Sequence, residues 1–138
     1  MQKVLLNINV VLDFFLERKP FFHEVRALFA AVEQGKIEGY LCASSLDTIY
    51  YLVQRAHNAR KAREVTAKLL KLFGIADVNR EVLLEALAVG GDFEDNIVLA
   101  SARLKGLDLI VTRDKTGFAA SDIPVVTPAL IYAMLLGL

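Results

Sequence analysis

Short apolar runs alternate with longer stretches of helical periodicity along the whole chain. Lys3-Val4-Leu5-Leu6 is too short for a helix and leads into Asn7-Ile8-Asn9, the pattern of a buried strand. Asn9 suits the N-cap of a following helix. Val10, Val11, Phe14 and Phe15 recur there at helical spacing, and Pro20 ends the pattern. Val25, Leu28, Phe29 and Val32 predict a second helix from about Phe22 to Gln34, with Gly35 as its C-terminal cap. Gly39-Tyr40-Leu41-Cys42-Ala43 reads as a second strand. Ser44 and Asp47 then form a capping-box variant for a helix running to about His57.

Ala59 to Phe73 is a further helix, with Val65, Leu69, Leu72 and Phe73 inward. Gly74 to Val78 is a weak strand signal, and Asn79 caps a helix through Val89. Gly90-Gly91 breaks the chain before a helix that starts at Phe93 and stops at Gly106. Leu109-Ile110-Val111-Thr112 is the clearest strand, apolar and β-branched between polar flanks. Pro124-Val125-Val126-Thr127 is the fifth strand. Thr127-Pro128 then starts the last helix with proline in its first turn, and that helix ends near Leu136.

Strands alternating with helices imply an α/β fold, a mostly parallel five-stranded sheet covered on both faces in three layers. Neither a linker nor a repeat interrupts the pattern, so residues 1–138 read as a single domain. In such sheets, sites form beyond the carboxyl ends of the strands. Here that edge carries Asn7, Ser44 to Thr48, and Arg113-Asp114, and the helix start at Asp92 to Asp95 reaches the same edge.

Asp92-Phe93-Glu94-Asp95 puts three acids within four residues at the start of an apolar helix. Asp92 suits the N-cap, and Asp95 three residues on favours the positive end of the helix dipole. The same acids are candidate ligands for a hard divalent cation, which prefers oxygen donors. Asp114 is either a turn former or a ligand, Asp47 either a capping acid or a ligand, and Asn7 either a backbone acceptor or a site residue.

Composition narrows the chemistry. The hydrophobic fraction is 55% and the mean hydropathy +0.44, which calls for an extensive core and permits a face buried against a partner or a second copy. No apolar run reaches the roughly 18 residues of a membrane span. Asp13, Glu17 and Arg18 in the first helical pattern are unlike a signal peptide, so a cytoplasmic protein is expected. Cys42 is the only cysteine, which excludes an intrachain disulfide and a cysteine zinc cluster. It reads as a small core residue. His23 and His57 lie far apart near helix ends and suggest no acid–base pair. Sixteen basic and sixteen acidic residues cancel, which argues against broad electrostatic binding of nucleic acid. Lys61, Arg63, Lys68 and Lys71 read as a solvated face, and Tyr50 and Tyr51 as core or dimer-seam residues.

Four segments in order resemble the PIN-domain family, in particular its small prokaryotic single-domain branch. They are Val4 to Asp13, Ser44 to Tyr51, Asp92 to Asp95, and Val111-Thr112-Arg113-Asp114 with Phe118; Ser121-Asp122-Ile123-Pro124-Val125 is similar to the branch's usual ending. The resemblance implies a Mg²⁺- or Mn²⁺-dependent endoribonuclease. It also implies RNA as substrate, an antitoxin partner, a homodimer, and a metal and catalytic set of Asp95, Asp114, Asn7 and Asp47. The chain departs from the family pattern at Asn7, where the family has an aspartate, which lowers the site's charge. Asp47-Thr48 reverses the branch's usual order, a shift of about 100° around the helix axis that turns Thr48 rather than Asp47 toward the site. Gly117 stands where the branch often has an acid. The expectation is an enzyme of reduced activity. The alternatives are a degenerate module that binds RNA or a protein without cleavage, and a dimerising scaffold whose acids only cap helices.

Overall fold

The computed structural model describes residues 2–137. Strands β1 (Lys3–Leu6), β2 (Glu38–Cys42), β3 (Gly74–Ala76), β4 (Leu109–Val111) and β5 (Val125–Val126) form one sheet in the order β3-β2-β1-β4-β5. All four pairings are parallel. Leu5 is the central partner, opposite Tyr40 on one side and Ile110 on the other. The helices are α1 (Ile8–Phe15), α2 (Phe22–Glu33), α3 (Ser45–Ala56), α4 (Ala59–Leu72), α5 (Arg80–Ala88), α6 (Phe93–Lys105) and α7 (Pro128–Leu136).

Side-chain alternation along β1 divides the core into two layers. Val4 and Leu6 point to one face, where they join Val10, Val25, Leu28, Ile49, Val53, Leu69 and Ile131 from α1, α2, α3, α4 and α7. Leu5 points to the other, with Ile110, Val82, Ala86 and the buried face of α6. Burial of each such side chain stabilises the fold by about 1.5–3 kcal/mol, and a parallel sheet needs it on both faces. The expected three-layer α/β/α architecture is therefore present, with every strand parallel.

Most helix boundaries follow the predicted caps. Asn79 accepts from Val82 N, Thr127 from Leu130 N and Asp92 from Asp95 N. Gly106 ends α6 with φ +75°, a left-handed conformation that glycine adopts without penalty. Three expectations need correction. The N-cap of α1 is Asn7, and Asn9 lies inside the first turn, because β1 runs into the helix with no spare residues. Helix α1 stops at Phe15, before Pro20, because the backbone turns left-handed at Glu17 (φ 48°). The Ser44 capping box does not form. Ser44 adopts helical angles (φ −68°, ψ −12°) and its hydroxyl lies 3.2 Å from Cys42 Sγ. The weak third strand is real but ends at Ala76.

From β1 the chain builds outward through β2 and β3, then crosses to β4 and β5 on the other side. The strand order therefore reverses between β1 and β4. A crevice opens beyond the carboxyl ends of those two strands, the usual place for a site in an open α/β sheet.

Candidate functional site

Thr112 ties the two sides of this crevice together. It follows β4, is fully buried, and its hydroxyl receives Asn7 Nδ2 and Asn9 Nδ2 at 3.1 Å each and Asp114 N at 3.2 Å. Asn7 N also donates to Val111 O at 3.0 Å, and Asn9 Oδ1 accepts from Arg113 N at 3.3 Å. One buried hydroxyl thus sets the positions of Asn7 at the end of β1 and Asp114 beyond β4. Because Asn7 uses its amide N–H₂ on Thr112, its carbonyl oxygen stays available as an acceptor.

Asp95 sits in the first turn of α6. Asp92 caps that turn, accepting from Asp95 N at 2.9 Å. Asn96 Nδ2 holds the turn against the end of α5 through the carbonyls of Ala86, Val89 and Gly90. Gly117 packs against the Asp95 carboxylate so closely that a β-carbon at that position would overlap it. Burial raises the Asp95 carboxyl above its ordinary value, and the neighbouring charges of Asp92, Glu94 and Asp114 push it further the same way. Asp114 is exposed and behaves oppositely. Its Oδ1 accepts from Thr116 Oγ1 at 2.5 Å and Thr116 N at 3.1 Å, and these bonds hold its carboxyl below the ordinary value.

Asn7, Asn9, Thr48, Glu94, Asp95 and Asp114 line one cleft of about 440 Å³, with Ile8, Leu12, Arg18 and Leu52. Of the four expected site residues, Asn7, Asp95 and Asp114 meet here. Asp47 is exposed on α3 and does not line the cleft; Thr48, the next residue, does. A second recess of about 440 Å³, lined by Gly90 to Asp92, Thr116 and Gly117, shares Asp95 and Asp114 with the first. The two carboxylates stand where the recesses meet.

The donor set suits a hard cation in kind: two carboxylates, an amide carbonyl and a hydroxyl are all oxygen donors. It is low in charge. Among the described residues no three acidic, histidine or cysteine side chains are grouped as a ready ligand set. Burial first, and then the charges of Asp92, Glu94 and Asp114, disfavour the ionised form of Asp95, and a cation placed between the carboxylates would offset the repulsive part.

Arg18 adds one cation to the cleft lining, and it belongs to a buried ion-pair group. Asp13 on α1 is fully buried, with 0% exposure, and binds Arg113 in two places, Nε to Oδ2 at 2.6 Å and Nη2 to Oδ1 at 3.2 Å. The Arg113 guanidinium also lies 3.9 Å above the Phe21 ring. Arg18 Nη1 approaches the same Asp13 at 3.7 Å. Thr112 and this ion-pair group carry little signal in the linear pattern, and Asn9 reads there only as a cap. An aspartate inside the otherwise apolar α1 is the one clue.

Comparison with protein families matches residues 3–116 to the PIN domain. Among solved structures, FitAcB from Neisseria gonorrhoeae superposes with a TM-score of 0.69 at 22% identity, covering 91% of this chain and 98% of that one. A toxin–antitoxin complex from Klebsiella pneumoniae gives 0.67 at 24% identity, with 91% and 97% covered. The sarcin-ricin-loop-cleaving toxin VapC20 of Mycobacterium tuberculosis gives 0.68 at 16% identity, with 85% and 94% covered. A search of curated proteins returned no match. At these identities the superpositions establish a shared fold, and the sequence match over residues 3–116 assigns the lineage: the chain belongs to the PIN-domain family.

Proposed function

We propose that this protein is a divalent-metal-dependent endoribonuclease of reduced activity, a toxin of the toxin–antitoxin type with an antitoxin protein as partner, acting in the cytoplasm as a homodimer. The observation that carries this reading is the convergence of Asn7, Asp95 and Asp114 in one cleft at the strand-order reversal. The similar structures support the biological class, since one is described as a sarcin-ricin-loop-cleaving toxin and another as a toxin–antitoxin complex.

Asp95 and Asp114 are the residues that would hold Mg²⁺ or Mn²⁺, with the Asn7 carbonyl as a neutral third donor and Thr48 at the rim. Such an ion would supply activation of water and neutralisation of charge on the phosphate. The protein's own part is positioning. Thr112 fixes Asn7 and the Asp114 backbone, Asp92 and Asn96 fix Asp95, and the meeting of two recesses at the acids leaves space for a strand on either side of the cut. Hydrolysis would be an in-line attack of water on the phosphodiester, with the 3′ or 5′ oxygen leaving and no covalent intermediate on the protein.

A binding module without cleavage is the second reading. The absence of a three-acid group among the described residues favours it. Incubating purified protein with RNA and Mn²⁺ separates the two. The nuclease reading expects slow cleavage by the native chain, faster cleavage by Asn7→Asp and none by Asp95→Asn. Cleavage by Asn7→Asp with none by the native chain at the same concentration assigns the native chain to the binding class.

A further inference from the structure

The Asp13 group holds two guanidiniums against one carboxylate. Asp13 is fully buried, and its two oxygens are engaged by Arg113 at hydrogen-bond distance. Arg18 reaches it only at 3.7 Å, an ion pair without a hydrogen bond. The trio therefore carries one surplus positive charge, and it belongs to Arg18. Among the described residues the Arg18 side chain has no hydrogen-bond acceptor and no other carboxylate within 4.0 Å. Its five N–H donors stay free for a ligand. Yet the residue is not loosely placed. The left-handed turn at Glu17 reverses the chain, Arg18 N donates to Asp13 O at 3.0 Å, and Arg18 O accepts from Phe22 N at 2.9 Å. Its side chain is 39% exposed and lines the cleft that Asn7, Asp95 and Asp114 also line.

A guanidinium with free donors, lining one cleft with two carboxylates that it does not pair with, matches an anion. We propose that Arg18 is a phosphate-binding residue of the cleft, taking a non-bridging oxygen pair of a single-stranded RNA phosphodiester while Asp95 and Asp114 face the same group. This rests on the nuclease reading above and adds the residue that grips the substrate. Asp13 acts through Arg18 as a positioning residue. It keeps the guanidinium in place by charge without occupying its donors. Arg113 is excluded from the same part, because Asp13 and Phe21 already engage it.

The test is equilibrium binding of a fluorescein-labelled single-stranded RNA of about 12 nucleotides to the full chain in EDTA, read by anisotropy across a salt series. EDTA prevents turnover, so binding is read apart from activity. Arg18→Ala is expected to weaken binding about tenfold and to lower the salt slope by about 0.7, the loss of one phosphate contact. Arg18→Lys keeps the charge but not the fork. It is expected to hold the slope and lose part of the affinity. Lys68→Ala, on the exposed face of α4, is expected to change neither. Native affinity and slope in both Arg18 variants would overturn the assignment and leave the nuclease reading standing. Absence of RNA binding by the native chain in EDTA would overturn the assignment of Arg18, whereas the nuclease reading, which needs the cation that EDTA removes, stands or falls on the Mn²⁺ cleavage assay.

Discussion

Gly117 lies against the carboxylate of Asp95, and the contact leaves no room for a β-carbon. The family resemblance implies an acid at this position, and the space such a side chain would use is taken here by Asp95 itself. Gly117→Ala should force Asp95 out of its rotamer at a cost of about 1 kcal/mol, because the overlapping atoms are the far end of a side chain and can swing away. The larger effect falls on Mn²⁺ affinity, which should drop with little loss of fold. Thermal melting alongside a Mn²⁺ titration checks both. Unchanged affinity would show that Asp95 does not need its present orientation to bind.

Asp13 carries a buried charge that two arginines compensate. Asp13→Ala leaves Arg113 without its partner beside the Phe21 ring and frees the loop that carries Asp114. The buried charge leaves with Asp13 and the remaining guanidiniums are 29% and 39% exposed, so the loss should be that of the charged hydrogen bonds, about 1.5–3 kcal/mol. Urea unfolding measures this directly. A loss below about 1 kcal/mol would mean that the pair behaves like a surface ion pair.

Stability on the acid side should depend on Asp122. Its carboxylate accepts from Arg103 Nη2 at 3.0 Å and from Nε at 3.3 Å, while Nη1 of the same arginine pairs with Glu85. The Arg103 guanidinium holds the Asp122 carboxyl below its ordinary value. The folded form therefore binds its proton less readily than the unfolded form. The stabilisation is present above the unfolded pKa and is lost as pH falls through the lower folded pKa. Asp122→Asn should lower the melting temperature at neutral pH, and the difference from the native chain should shrink toward about pH 3. A constant difference across that range would assign the effect to something other than charge.

The linear pattern disclosed the architecture because it is written locally. Val4-Leu5-Leu6 and Leu109-Ile110-Val111 are short apolar runs, and Asp92, Asn79 and Thr127 cap the helices that follow them. The site was only half legible. Asn7, Asp95 and Asp114 were readable from motif order, and they do line one cleft. That Thr48 rather than Asp47 lines the cleft was readable from the reversed order of the family motif together with helix geometry. Thr112 and Asn9 were not readable, because their role is a contact between residues more than a hundred positions apart, formed when β1 and β4 pair. The same distance hid the Asp13–Arg113 pair. Asn9 also looked like a cap, since nothing local shows that α1 starts two residues earlier.

Calorimetric titration of Mn²⁺ into the native chain, Asn7→Asp and Asp95→Asn tests the central claim most directly. The native chain should bind with an affinity of about millimolar order, Asn7→Asp should bind about tenfold tighter through its added charge, and Asp95→Asn should not bind measurably. Equal heats for all three proteins, or no saturable binding even by Asn7→Asp, would contradict a metal centre built on Asn7, Asp95 and Asp114.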